Sequence, residues 1–209
     1  MQKQLAAIAT LATVAAGLAA MGAAQAQLPV GNAGAQYQAL TDTLVDPAAA
    51  ADQYVDAAQQ TMAAESGLLA AAGLQPEAEA VGAAGRGLQQ LATRAELEEA
   101  LKRQADAAQL LIRRLGGAQP LAADARTRFG QDVFALAQGI ATSAEISKSL
   151  SANRRKIDML KGPVVIRAAY LSKALPEHVR GLQQALKAAA SYAAANGIVL
   201  PPEVAAAAG

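Results

Sequence analysis

Residues 120–161 read PLAADARTRFGQDVFALAQGIATSAEISKSLSANRRKIDMLK. Phe129, Val133, Leu136, Ile140, Ala144, Ser147 and Leu150 recur at steps of three and four, and Arg154, Ile157 and Leu160 keep the rhythm. That is an apolar stripe at the helical period, and it holds both phenylalanines of the chain. Pro120 suits a first helical position, where a missing N–H costs nothing. Gly162-Pro163 closes the run, since glycine suits a C-cap and proline cannot continue the ladder. A helix of this length would reach roughly 60 Å, longer than most, which invites a break between Ser149 and Asn153.

The chains of residues on either side read the same way. Asp46-Pro47 is a helix start, and the helix it opens carries Val55, Ala58, Met62 and Leu69 before Gly73 and Pro76 end it. Glu77–Leu91 keeps Val81, Ala84, Leu88 and Leu91 at helical spacing. Gly82, Gly85 and Gly87 weaken it and mark either a close helix approach or a hinge. Thr93 and Glu96 form a capping-box pair, opening a helix striped by Leu97, Leu101, Ala108, Leu111 and Leu115. Gly116-Gly117 closes it. The short link to Pro120 predicts an αα-hairpin with the next helix. Beyond Gly162, a short segment to Leu175 precedes a last helix starting at Pro176-Glu177 and stopping at Asn196-Gly197. No segment alternates apolar and polar residues at period two. The expected fold is therefore all-α, an elongated antiparallel bundle of about five helices over residues 46–197. An extended leader, 27–45, would precede it and a C-terminal tail, 198–209, would follow.

Residues 1–26 read as a cleaved signal peptide: Lys3, an apolar uncharged run from Leu5 to Met21, then Ala24-Gln25-Ala26 as the small-x-small cleavage pattern. The mature chain would start at Gln27 and be periplasmic or secreted. There is no Cys, so disulfide and thiolate chemistry are excluded. Over a quarter of the chain is Ala and only 3% is aromatic, which predicts a thin helical core with closely spaced helices.

The formal charge of +1 hides an asymmetry. Residues 27–99 carry ten acidic groups against Arg86 and Arg94, and residues 100–209 carry fifteen Lys and Arg against seven acids. Packing of the two halves against one another is the first explanation, and an anionic partner the second. Arg154, Arg155, Lys156 and Lys161 are the candidate binding patch for such a partner, with Arg113-Arg114 and Arg126/Arg128 as further basic groups. Nucleic acid is not expected in an exported chain with so few aromatic rings for stacking.

No residue set points to catalysis. His178 is the only histidine, beside Glu177 in a predicted first helical turn, and lacks a partner for a metal site. Asp52 and Asp56 share a helix face but read as a solvated one. Ser143, Ser147, Ser149 and Ser151 lack a nucleophile-elbow context and read as small residues for close packing. No metal or cofactor is called for. The expected function is an exported non-enzymatic helical interaction or scaffold protein, binding a protein partner through an amphipathic helix face. The alternative is a carrier of an apolar ligand or a protein of anionic lipid surfaces.

Overall fold

A computed structural model describes residues 46–117, 120–159 and 162–208, all of which fall in one unit of the chain, 39–209. The signal peptide, the leader up to Val45, and Lys161 lie outside the described residues. The described residues form seven helices and no strand: α1 Pro47–Ala71, α2 Gln75–Gly87, α3 Arg94–Leu115, α4 Ala123–Ala152, α5 Arg154–Met159, α6 Pro163–Ala195 and α7 Pro202–Ala208. The protein is an all-α bundle.

Helix α1 is the hub. It packs against α2, α3, α4 and α6. Ala50, Ala51, Tyr54, Val55, Ala57, Ala58, Met62, Ala64, Leu68 and Leu69 are all buried on one broad side, while Asp56, Gln60, Ala63 and Ala70 lie exposed on the other. Two of those exposed positions are alanine, so the helix shows little amphipathic contrast. The stretch 120–161, although the most periodic, is one of the surrounding helices.

Two apolar clusters give the helix directions. In one, the N-terminal parts of α1, α3 and α6 (Tyr54, Leu97, Leu171) meet the C-terminal part of α4 (Ile146, Leu150), with Ile157 of α5. In the other, the C-terminal parts (Leu68, Leu111, Leu186) meet Phe129, Val133 and Leu136. So α1, α3 and α6 run one way and α4 runs back between them. Helix α2 also runs back, along α1: Gln59 Nε2 donates to the Leu88 carbonyl at 2.6 Å, and Ser66 Oγ donates to that of Ala78 at 2.7 Å.

Small residues set the spacing of the hub. A Cβ added at Gly85 would stand 3.0 Å from Met62 Cβ, and one at Gly82 would stand 2.9 Å from Ser66 Oγ. These glycines serve close approach of α2 to α1 rather than a hinge. On the opposite side Gly139 of α4 lies against Thr61, and Gly67 of α1 against Asp132. This tight α1–α4 contact corrects the expected hairpin of α3 with α4. Those two helices barely touch, and α4 seats on α1 and α6 instead.

Local signals behave as the chemistry dictates, except that α2 ends at Gly87, which leaves Leu91 of the expected stripe in a turn, and that two prolines depart from expectation. Thr93 caps α3 with a full capping box: its Oγ1 accepts from the Glu96 N–H, and the Glu96 carboxylate accepts from the Thr93 N–H. Gly73 ends α1 at φ 78°, with the Leu74 N–H donating to the Leu69 carbonyl. The stretch 120–161 breaks at Asn153, where Asn153 Nδ2 donates to the Ser149 carbonyl. The first of these prolines is Pro120, which stays outside the helix; α4 begins at Ala123 with Ala122 as its N-cap. The second is Pro176, which starts no helix but lies inside α6. Proline removes one ladder bond. Here its ring faces solvent while Leu171, Leu175, Val179 and Leu182 stay buried on the other side, so packing carries the helix through. The tail docks: Val204 of α7 is buried, and Ile198 approaches Gly130 of α4.

Two alanine substitutions separate packing from propensity. Gly139→Ala is expected to cost about 1–3 kcal/mol by overpacking Thr61. Gly181→Ala, on α6 with nothing near the added methyl, is expected to gain about 1 kcal/mol from helix propensity alone. Urea unfolding of the two variants checks both signs.

Candidate functional site

A layer of polar side chains lies where the two apolar clusters meet. Each long helix contributes at the same level: Thr61 and, one turn on, Glu65 from α1; Gln104 from α3; Ser143 from α4; His178 from α6. All five are buried. In sequence four of them fall in the gaps between the clusters, Gln104 between Leu101 and Ala107, and His178 between Leu175 and Val179, while Glu65 lies within one cluster, between Ala64 and Leu68.

Gln104 is the junction. Its Oε1 accepts from the Tyr54 hydroxyl at 3.1 Å and from His178 Nε2–H at 3.1 Å, which ties α1, α3 and α6 together and fixes the imidazole as its neutral Nε2–H tautomer. Burial pulls the His178 pKa down to about 4 and pushes the Tyr54 phenol up, the latter aided by the nearby Glu65. The cause at His178 is desolvation, since the residue sits in mid-helix and not at the helix start that Pro176 suggested. Thr61 Oγ1 donates to the Ala57 carbonyl at 2.8 Å. Glu65 is different. It is fully buried, and neither carboxyl oxygen has a hydrogen-bond partner. Burial raises its pKa well above the ordinary value. His178 is thus neutral at neutral pH, and burial favours the protonated form of Glu65. The layer holds the helices in register through Gln104, which accepts from Tyr54 and His178.

The other groups singled out from sequence have separate duties. Asp52 pairs with Arg167 at 2.7 Å, a contact that joins the acidic and basic parts of the chain across α1 and α6. Arg167 is only 4% exposed. Asp56 accepts instead from Gln90, so the two aspartates do not act as an acid–base pair. Ser143 and Ser147 are buried as packing residues, and Ser151 donates to the Ser147 carbonyl. Of the basic patch, Arg154 and Arg155 are exposed on α5; the Lys156 side chain and Lys161 lie outside the described residues. Arg114 and Arg126 turn back on the chain, to the carbonyls of Ala72 and Leu121. Among the described residues no group of acids and His is placed to hold a metal ion, and no helix is long and apolar enough to cross a membrane.

On the outer surface, a cleft of about 570 Å³ opens between α2 and α3. Ala80, Ala83, Ala84, Gly87, Ala95 and Ala100 line it, with Glu96, Glu99 and Arg103 as its charged groups. It exists because α2 lies chiefly on α1 and only lightly on α3, and alanines on its free side cannot bridge the gap. The turn joining its two walls holds Leu91, 71% exposed, at φ 63°. The Ala92 N–H donates to the Gln89 carbonyl, which places Leu91 third in a β-turn, a position with positive φ that normally belongs to glycine or asparagine. A leucine there costs roughly 1–2 kcal/mol.

No family model, curated protein or solved structure matches this chain.

Asp52→Ala is expected to lose about 2 kcal/mol in chemical denaturation, because Arg167 would stay buried without its carboxylate. The loss falls short of a fully buried pair because Asp52 is a third exposed. For His178 the folded pKa lies below the unfolded one, so its stability is present above pH 6.5 and is lost as pH falls toward 4. His178→Gln keeps a donor for Gln104 but does not titrate. The stability advantage of wild type over this variant is expected to shrink by roughly 3 kcal/mol between pH 7 and pH 4.

Proposed function

We propose that the protein is an exported, non-enzymatic helical interaction module that receives an apolar helix of a protein partner in the α2–α3 cleft. The observation that carries this reading is the alanine-walled cleft with an exposed, strained Leu91 at the turn between its walls. Small residues let a guest helix approach closely, and a large apolar side chain at one end supplies an anchor. Keeping leucine where glycine would relieve strain is the kind of local cost that function explains. The polar layer is compatible with this reading, since its groups are buried inside the bundle and away from the cleft.

Export to the periplasm belongs to this proposal through the signal-peptide pattern of residues 1–26. Arg154 and Arg155 are exposed and could add an electrostatic contact to an acidic partner.

Absence of cysteine makes the test clean. Ala83→Cys, carrying a photoactivatable crosslinker in the cleft, is expected to give a discrete adduct in periplasmic extract. Ser191→Cys, exposed on α6, is expected to give none. Equal labelling from both positions, or none from either, would sink the reading. Leu91→Gly in the Ala83→Cys background should weaken the adduct without loss of stability.

A further inference from the structure

The unpartnered carboxyl of Glu65 has a consequence that does not depend on what fills the cleft. We propose that Glu65 is a proton-held latch: the bundle closes on it only while the carboxyl keeps its proton, and loss of that proton parts α1 from its neighbours and exposes their apolar faces.

The surroundings of Glu65 leave no other means of holding a charge. On its own helix the nearby titratable group is Tyr54, whose hydroxyl is committed to Gln104. From α3 the layer presents the neutral Gln104 amide, and from α6 it presents His178, neutral and bonded to that amide. From α4 the layer presents the uncharged Ser143 hydroxyl, while Asp132 lies against Gly67, on the other side of α1 from Glu65. From α2 it is Arg86, whose guanidinium lies over Gly82 at the outer edge of the α1–α2 contact. None of these forms a hydrogen bond or ion pair with Glu65. An ionised carboxylate in this place would be buried and unpaired, the costliest arrangement a core can hold.

The direction with pH follows. Burial raises the folded-state pKa, so the stability that Glu65 allows is complete below the unfolded value near 4.5 and is lost as pH rises toward the folded value. Between about 4.5 and 6.5 this loss is offset by His178, whose neutral folded form gains over its protonated unfolded form as pH rises. Asp132, raised by burial to about 6, titrates in that same range. Above pH 7 both have finished, and Glu65 acts alone. At any pH above the unfolded value and below the raised folded value of Glu65, unfolding releases its proton, and each pH unit lowers the folded-to-unfolded ratio about tenfold.

The test uses the full chain, its Glu65→Gln variant and its Glu65→Met variant, each followed from pH 5.5 to 9.5 by thermal melting and by binding of a naphthalene-sulfonate dye to exposed apolar surface. Wild type is expected to lose thermal stability and gain dye fluorescence above pH 7. Both variants are expected to fold at every pH and to show neither change. A wild type that is flat above pH 7 overturns the proposal, as do variants that reproduce the wild-type profile. Failure of both variants to fold at pH 5.5 also overturns it, because it would mean the carboxyl has partners that hold the core together.

Discussion

One helix packed against four others sets the terms for the rest of this structure. Four neighbours share the buried side of α1, so each must come close. Alanine and glycine make that approach feasible: Gly82 and Gly85 admit α2, and Gly139 admits α4 over Thr61. Large side chains are then needed only at intervals, and a core with two phenylalanines and no tryptophan is sufficient. The aromatic contact between Phe129 and Tyr192, with ring centroids 5.1 Å apart, braces α4 against α6 at one end. At the other, the Arg94 guanidinium over the Tyr170 ring ties α3 to α6.

The same close packing explains what could be read from the chain and what could not. Helices with one wet face, such as α3 and α4, announce themselves by a stripe, and their local terminators are equally plain: Thr93 with Glu96, Gly73, Asn196-Gly197. The hub reads as a helix but not as the centre, because alanines on its exposed face, Ala63 and Ala70, blur the periodic contrast. Pro176 was misread because proline is a local signal, and only the continuous buried face on both sides of it overrides that signal. The polar layer had a trace in sequence. Gln104 completes the series Leu97, Leu101, Ala108, Leu111, Leu115 at steps of four and three, a polar residue filling a core position. Glu65 stands in the same way between Met62 and Leu69. Which helices would meet at that level is a tertiary fact, and no spacing reveals it.

The buried polar groups divide into two kinds. Arg167 with Asp52, and Gln104 with Tyr54 and His178, are satisfied, so their desolvation is repaid by directional bonds that fix how the helices align. Glu65 is unsatisfied, and its cost falls with the proton it carries. A neutral leucine would fill the same space without that dependence. The residue therefore trades stability for sensitivity to its medium, as Leu91 trades stability for an exposed apolar anchor.

The polar layer also partitions the molecule. Leu97, Leu150 and Leu171 on one side share few neighbours with Leu111, Phe129 and Leu186 on the other. Groups that share no partners respond to change independently. Side-chain volume can thus be exchanged within one compartment without retuning the other, and a lineage of such chains is free to redraw one end of the bundle while the opposite end stays as it is.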